Sequence, residues 1–289
     1  MRHVRLVVLL IFFASLPIVA KSQVVSVPFT NDNPNGLVIV PAQLGNIPVH
    51  LFFDTGAGLD IFAPSLIEKL HGKPAGRFTG FRATGERLDL PLFIIPKLSV
   101  GPLVKKDALV ASWDVLDKYH MDGGISLNDF RQQPITFDFV KKQLIFETRK
   151  SVAQRRAHGE SSPLQLDDYR GIALDMFSQF LIGDQPGQCE IDTGSPSATV
   201  STRYMVALGI EKDGKGVQKR ERPTVAGGTQ VRWDTTLPRI SLASAPDVYL
   251  ANAPVSFSDI IYDCMVGVDF WRGRQLTIDI ADRQLIVSK

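Results

Sequence analysis

Phe53-Asp54-Thr55-Gly56-Ala57 in the first half of the chain returns in the second half as Ile191-Asp192-Thr193-Gly194-Ser195. Each copy ends an apolar approach, which in the first reads Leu51-Phe52-Phe53. Each leads into a short apolar stretch and then a segment with helical signals. Pro64–Leu70 carries proline just inside its start, and Ser201–Leu208 opens on a Ser/Thr cap candidate. The ends of the halves agree as well. Ile135-Thr136-Phe137-Asp138 and Gln143-Leu144-Ile145-Phe146 parallel Leu276-Thr277-Ile278-Asp279 and Gln284-Leu285-Ile286-Val287, with Asn128-Asp129-Phe130 set against Val268-Asp269-Phe270. A lone Asp-Thr-Gly is a β-turn signal, because Asp and Gly suit turns for backbone reasons. Turn chemistry leaves the matched flanks unexplained, so the pattern reads as an internal duplication.

Between these landmarks the chain is built from short apolar or alternating runs broken by Gly, Pro, Asn and Asp. Gly36-Leu37-Val38-Ile39-Val40 and Leu90-Pro91-Leu92-Phe93-Ile94-Ile95 are examples. Runs of this length and punctuation predict strands of an all-β protein. With 289 residues, 44% of them hydrophobic, the chain can fill two small cores. The polar stretch 148–162 has almost no apolar content and reads as a solvated linker between the halves. Residues 211–222, rich in Lys, Gly and Arg, read as an exposed loop.

The beginning of the chain reads as an export signal, 1–22. Met1-Arg2-His3-Val4-Arg5 is basic, Leu6–Ala20 is uncharged, and Ala20-Lys21-Ser22 offers small-x-small cleavage after Ser22, with Ala20 as second choice. The alternative is a retained anchor, although the run falls short of the ~20 apolar residues that a spanning helix needs. Export leaves a lobe at 23–147, the linker 148–162 and a second lobe at 163–289. It also removes Arg2, Arg5 and Lys21 from 32 basic residues, leaving 29 against 30 acids. No nucleic-acid footprint remains. The expected location is periplasmic or secreted, with membrane contact only through the signal. Cys189 and Cys264 either pair in such a compartment or pack as buried thiols.

Two carboxylates at the ends of buried strands are costly unless partnered. Brought face to face they hold one proton between them, as in the pepsin dyad. One then takes a proton from water while the other donates to a peptide carbonyl, which is general acid–base hydrolysis with no metal or cofactor. On this reading Asp54 and Asp192 are catalytic. Gly56 and Gly194 let neighbouring backbone approach, and the hydroxyls of Thr55 and Thr193 are placed to cross-brace the two loops.

The paired motifs, the helix after each and the Gly-containing strand near the lobe ends resemble the aspartic peptidases. Leu51-Phe52-Phe53 and Asp-Thr-Gly-Ala are similar to the retroviral, retropepsin-like branch, and the short halves to its bacterial tandem form. The resemblance covers nearly the whole mature chain. It implies an all-β fold of two duplicated β-barrel lobes, each with a short helix, and an active site within one chain. It implies an endopeptidase taking an extended peptide beneath two hairpin flaps, near Thr79–Gly85 (Ala83, Thr84, Gly85) and near Pro223–Thr229 (Ala226, Gly227, Gly228). It also brings the strands of Cys189 and Cys264 together, which permits a disulfide beside the second lobe's site.

One departure stands out. The second half keeps the family's hydrophobic-hydrophobic-Gly signature as Met265-Val266-Gly267, whereas the first half places Leu127 where glycine is expected. That loss favours an alternative, an inactive exported peptide-binding protein of the same fold. Other hydrolase chemistry finds no support: His50, His71, His120 and His158 are scattered, with no H-E-x-x-H and no G-x-S-x-G.

Overall fold

A computed structural model describes residues 23–33, 36–224 and 228–289. The expected signal segment 1–22 therefore lies outside the described residues. Alternation governs the strands. In Ile47–Phe53, Val49, Leu51 and Phe53 point into the core while Pro48 and His50 face water. That is the period of two of a half-buried strand.

Three sheets result among the described residues. The first lobe's seven-stranded sheet runs Ile39–Leu44, Ile47–Phe53, Gly123–Ile125, Ile61–Phe62, Leu103–Ser112, Arg87–Val100, Lys73–Phe81. Pairing of Leu44 with Leu98 and Gln43 with Ser99 closes it on itself. The second lobe's eight-stranded sheet repeats the plan, closed by Phe180–Ile182 pairing with Ile240–Leu242. Tight hairpins turn on glycines in the left-handed region at equivalent places, Gly45 (φ +60) and Gly183 (φ +60).

The third sheet has six strands and joins the halves. At its centre Ile135–Asp138 pairs antiparallel with Gln275–Asp279, and Thr136 stands opposite Thr277. The two residues hold corresponding places in the two halves, so the local two-fold axis passes between them. Phe137, Leu144, Leu276 and Leu285 are fully buried there.

The segment 148–162 corrects the expectation of a solvated linker. Arg149–His158 is a helix, and Glu160–Pro163 is an edge strand pairing with Gln284–Ser288. Thr148 caps the helix, accepting from Ser151 N at 3.0 Å while its own amide donates to Ser151 Oγ at 2.8 Å. Arg149 donates to buried Asp279 at 2.8 Å, and Arg155 pairs with buried Glu147. The helix is held by tertiary ion pairs rather than by an apolar stripe. Residues 218–222, expected within an exposed loop, are exposed but belong to a strand, Gln218–Pro223. Both segments with helical signals contain helix, as Pro64–Lys69 and Tyr204–Ala207.

Candidate active site

Strands Ile47–Phe53 and Gln185–Ile191 each deliver one Asp-Thr-Gly to the interface of the lobes. Asp54 N donates to Ile125 O at 2.9 Å, and Asp192 N to Val266 O at 3.0 Å. The turns close alike, with Ala57 N to Asp54 O and Ser195 N to Asp192 O, both 3.3 Å. Gly56 N donates to Asp54 Oδ1 at 3.0 Å and Gly194 N to Asp192 Oδ1 at 2.8 Å.

The threonines lock the two loops together. Thr55 Oγ1 donates to Ile191 O at 2.6 Å and accepts from Thr193 N at 3.0 Å. Thr193 Oγ1 donates to Phe53 O at 2.6 Å and accepts from Thr55 N at 3.1 Å. Both side chains are fully buried, so each hydroxyl satisfies a donor and an acceptor that water does not reach.

The glycines show how close the carboxylates stand. A Cβ on Gly56 would lie 2.9 Å from the carboxyl carbon of Asp192, and one on Gly194 only 2.5 Å from that of Asp54. Each glycine makes room for the opposite lobe's carboxylate. Burial raises both carboxyls above the ordinary range. For Asp54 the Asp192 side chain and the amides of Gly56, Ala57 and Gly194 offset part of that rise. For Asp192 the charge of Asp54 adds to it. The pair therefore keeps one proton between its two carboxyls.

Above the dyad lies a cleft of about 340 Å³. Phe78, Phe81, Arg82 and Ala83 of the first hairpin line one side, and Glu190, Asp175 and Tyr262 of the second lobe the other. The hairpin Lys73–Phe81/Arg87–Val100 reaches over the cleft, and its tip is tied across the lobes by Ile261 N donating to Ala83 O at 2.8 Å. Its counterpart is Gln218–Pro223/Thr229–Leu242, whose neck is closed by Gly228 N donating to Thr224 Oγ1 at 3.0 Å. Thr84, Gly85 and Gly228 border a hollow of about 630 Å³ between the hairpins. The flap candidates Ala226 and Gly227 lie outside the described residues.

Cys189 and Cys264 stand directly opposite each other on paired strands and are joined by a disulfide, Cα atoms 4.5 Å apart.

The strand register corrects the reading of the missing glycine. Gly124 pairs with Phe52 and Ile125 with Phe53, just as Met265 pairs with Glu190 and Val266 with Ile191. The residue corresponding to Gly267 is therefore Ser126, not Leu127; Leu127 corresponds to buried Val268. A Cβ on Gly267 would lie 2.5 Å from Ser195 O and 2.7 Å from Ser197 N, which excludes any side chain there. In the first lobe Ser126 fits because Asp60 comes with it: Ser126 N and Oγ donate to Asp60 Oδ1 at 2.7 and 3.1 Å.

Asp175, Glu190 and Tyr262 did not emerge from the sequence. Glu190 left a readable trace, an acid two residues before Asp192 on a strand with a buried end. Asp175 left none, because only the folding of the second lobe's first hairpin over Gly58 brings it to the cleft.

No family model matches the chain, and no curated protein matches its sequence. In structure the chain is similar to basic 7S globulin from soybean over 92% of its length and 96% of that chain, with a TM-score of 0.57 and 11% identity. It is similar to conglutin gamma, a basic 7S globulin from lupine seeds, over 93% of its length and 95% of that chain, at 0.55 and 12%. The chain has the two-lobed aspartic-peptidase-like fold. At this identity the likeness speaks for architecture alone.

Proposed function

We propose that the chain is an exported aspartic-type endopeptidase of the retropepsin-like, tandem-lobe kind. The observation that carries the reading is the placement of half-buried Asp54 and buried Asp192: face to face, and on loops fixed by reciprocal threonine bonds that hold their geometry before substrate arrives. Of Asp54 and Asp192, the ionised carboxyl takes a proton from a water held between them, and the protonated one donates to the scissile carbonyl oxygen as the water oxygen bonds to carbon. The carboxyl that took the water proton then gives it to the amine nitrogen, a diol hydroxyl returns its proton to the other carboxylate, the C–N bond breaks, and the dyad again holds one proton. An extended peptide fits the cleft, with hairpin backbone offering pairing partners and the walls offering side-chain pockets. One chain supplies both carboxylates. The Cys189–Cys264 disulfide fits the proposed periplasmic or secreted location.

A second reading is an exported peptide-binding protein of the same fold without turnover, which fits the names of the two similar structures, globulins rather than peptidases. Incubating the mature chain with an unstructured protein from acidic to neutral pH separates the two. Peptidase activity lost in Asp54→Asn and in Asp192→Asn supports turnover. Inertness at every pH, or equal cleavage by all three forms, removes it.

A further inference from the structure

The cleft contains two carboxyls that hydrolysis does not need. Glu190 pairs across strands with Phe177 and with Met265, and Asp175 lies two residues from Phe177, so Glu190 and Asp175 share one face of the second lobe's sheet. Both line the cleft beside the dyad. Glu190 is 2% exposed, yet among the described residues it has no hydrogen bond and no ion pair. Asp175 has none either, and its cross-strand neighbour is a further acid, Asp167. A buried carboxylate without a partner is costly, and the fold does not require one here. At the corresponding place in the first lobe stands Phe52.

We infer that Glu190 and Asp175 form a subsite for the cationic side chain of a lysine or arginine in a bound peptide. The inference rests on the peptide-cleft reading above and names the substrate class that this cleft takes. The chemistry is complementary. Burial holds Glu190 well above the usual carboxylate range and Asp175 at about 6, so Asp175 is largely neutral near pH 5. An arriving ammonium or guanidinium supplies the charge that lets them ionise. Tyr262, packed edge-on to Phe177 at 5.1 Å, adds an aromatic wall suited to a cation. Arg82, which also lines the cleft, lies over Trp113 at 5.6 Å and faces Glu86 at 3.9 Å, its buried Nη1 without a hydrogen bond; it makes no ion pair with Glu190 or Asp175. A metal ion is a poorer occupant, because no group of three or more metal-ligating side chains occurs among the described residues.

Labelled peptides that differ at a single position test this, lysine against norleucine and arginine against citrulline, scanned along an extended sequence. Binding is read by anisotropy on the Asp54→Asn form and cleavage on the wild type, so the subsite is tested whether or not the protein turns over. At one position the charged peptide is expected to bind at least about tenfold more tightly at pH 7, the low end of what a buried charge pair contributes. In Glu190→Gln combined with Asp175→Asn the charged and neutral peptides should converge; the single variants and near-UV circular dichroism confirm that the fold persists. Peptides that bind without charge preference, or a preference that survives the double variant, overturn the subsite and leave the proposed function standing. Failure of every peptide to bind or be cleaved overturns both.

Discussion

Thr136 Oγ1 lies 2.7 Å from Thr277 Oγ1, on the two-fold axis that relates the halves of the chain. The contact is symmetric in position but not in chemistry. Thr136 also donates to buried Glu147 at 2.7 Å, so the proton between the threonines comes from Thr277. Thr136→Val strips a partner from Glu147, whose Oε2 already lacks one. Thr277→Val removes a donor and leaves the Glu147 bond intact. In urea unfolding Thr136→Val is expected to cost about 2–3 kcal/mol and Thr277→Val about 1. Equal losses would contradict this assignment of the proton.

The cross-brace at the dyad behaves differently. Thr55→Val orphans the buried Ile191 carbonyl and Thr193 amide, and Thr193→Val orphans the Phe53 carbonyl and Thr55 amide. Each is expected to cost about 2–4 kcal/mol, two buried groups being left unsatisfied. The corresponding serine variants keep both bonds and lose only a methyl group, about 1 kcal/mol. Denaturant midpoints compare the four variants directly.

Ser126 and Gly267 occupy one structural position under opposite constraints. Ser126→Gly forfeits bonds to Asp60 and Asn128 and should cost about 1–2 kcal/mol. Gly267→Ser drives a Cβ into backbone atoms that cannot move aside, at about 3 kcal/mol or more. Thermal unfolding of the two exchanges should show this imbalance.

Stability should fall as pH rises from about 4 to about 6. Asp175 titrates at about 6 in the folded chain against an ordinary 3.8, first through burial, then through the charges of Asp167 and Asp54. Glu190 shares its sheet face, and no cation pairs with it. The folded chain thus binds more protons than the unfolded one across that window, so the contribution is fully present below about 4 and lost above about 6. Asp54, Asp192 and Glu190 are raised too and act in the same sense. The lowered groups, Asp89 and Asp168, are exposed and act below 3.8. Asp175→Asn should flatten a plot of melting temperature against pH; a slope unchanged by it would remove Asp175 as the source.

Much of this architecture is readable in one dimension, because duplication writes the same physical demand twice. Asp54 and Asp192 could be matched through their flanks, and the strand ends through Thr136 and Thr277. Register is harder. Matching Asp129-Phe130 to Asp269-Phe270 shifts the comparison by one residue, and only backbone pairing shows that Phe130 answers to Trp271 and Ser126 to Gly267. The helix at Arg149–His158 was hidden for another reason. Its anchors, Asp279 and Glu147, lie outside the segment, so its own composition resembles that of a solvated stretch. Asp175 reaches the cleft through a hairpin that crosses between lobes, a placement no local pattern encodes.

The Cys189–Cys264 bond gives the two halves of the dyad different mechanical lives. It ties the strand that leads to Asp192 to the strand that leads to Gly267, across a sequence separation of 75 residues. The strands behind Asp54 have only hydrogen bonds to hold them, with Gly123 at the place of Cys264. When the molecule opens locally, the first lobe's loop should part from its neighbour while the second remains stitched. Amide exchange at Asp54 should then outpace exchange at Asp192, and reduction of the disulfide should bring the two rates together.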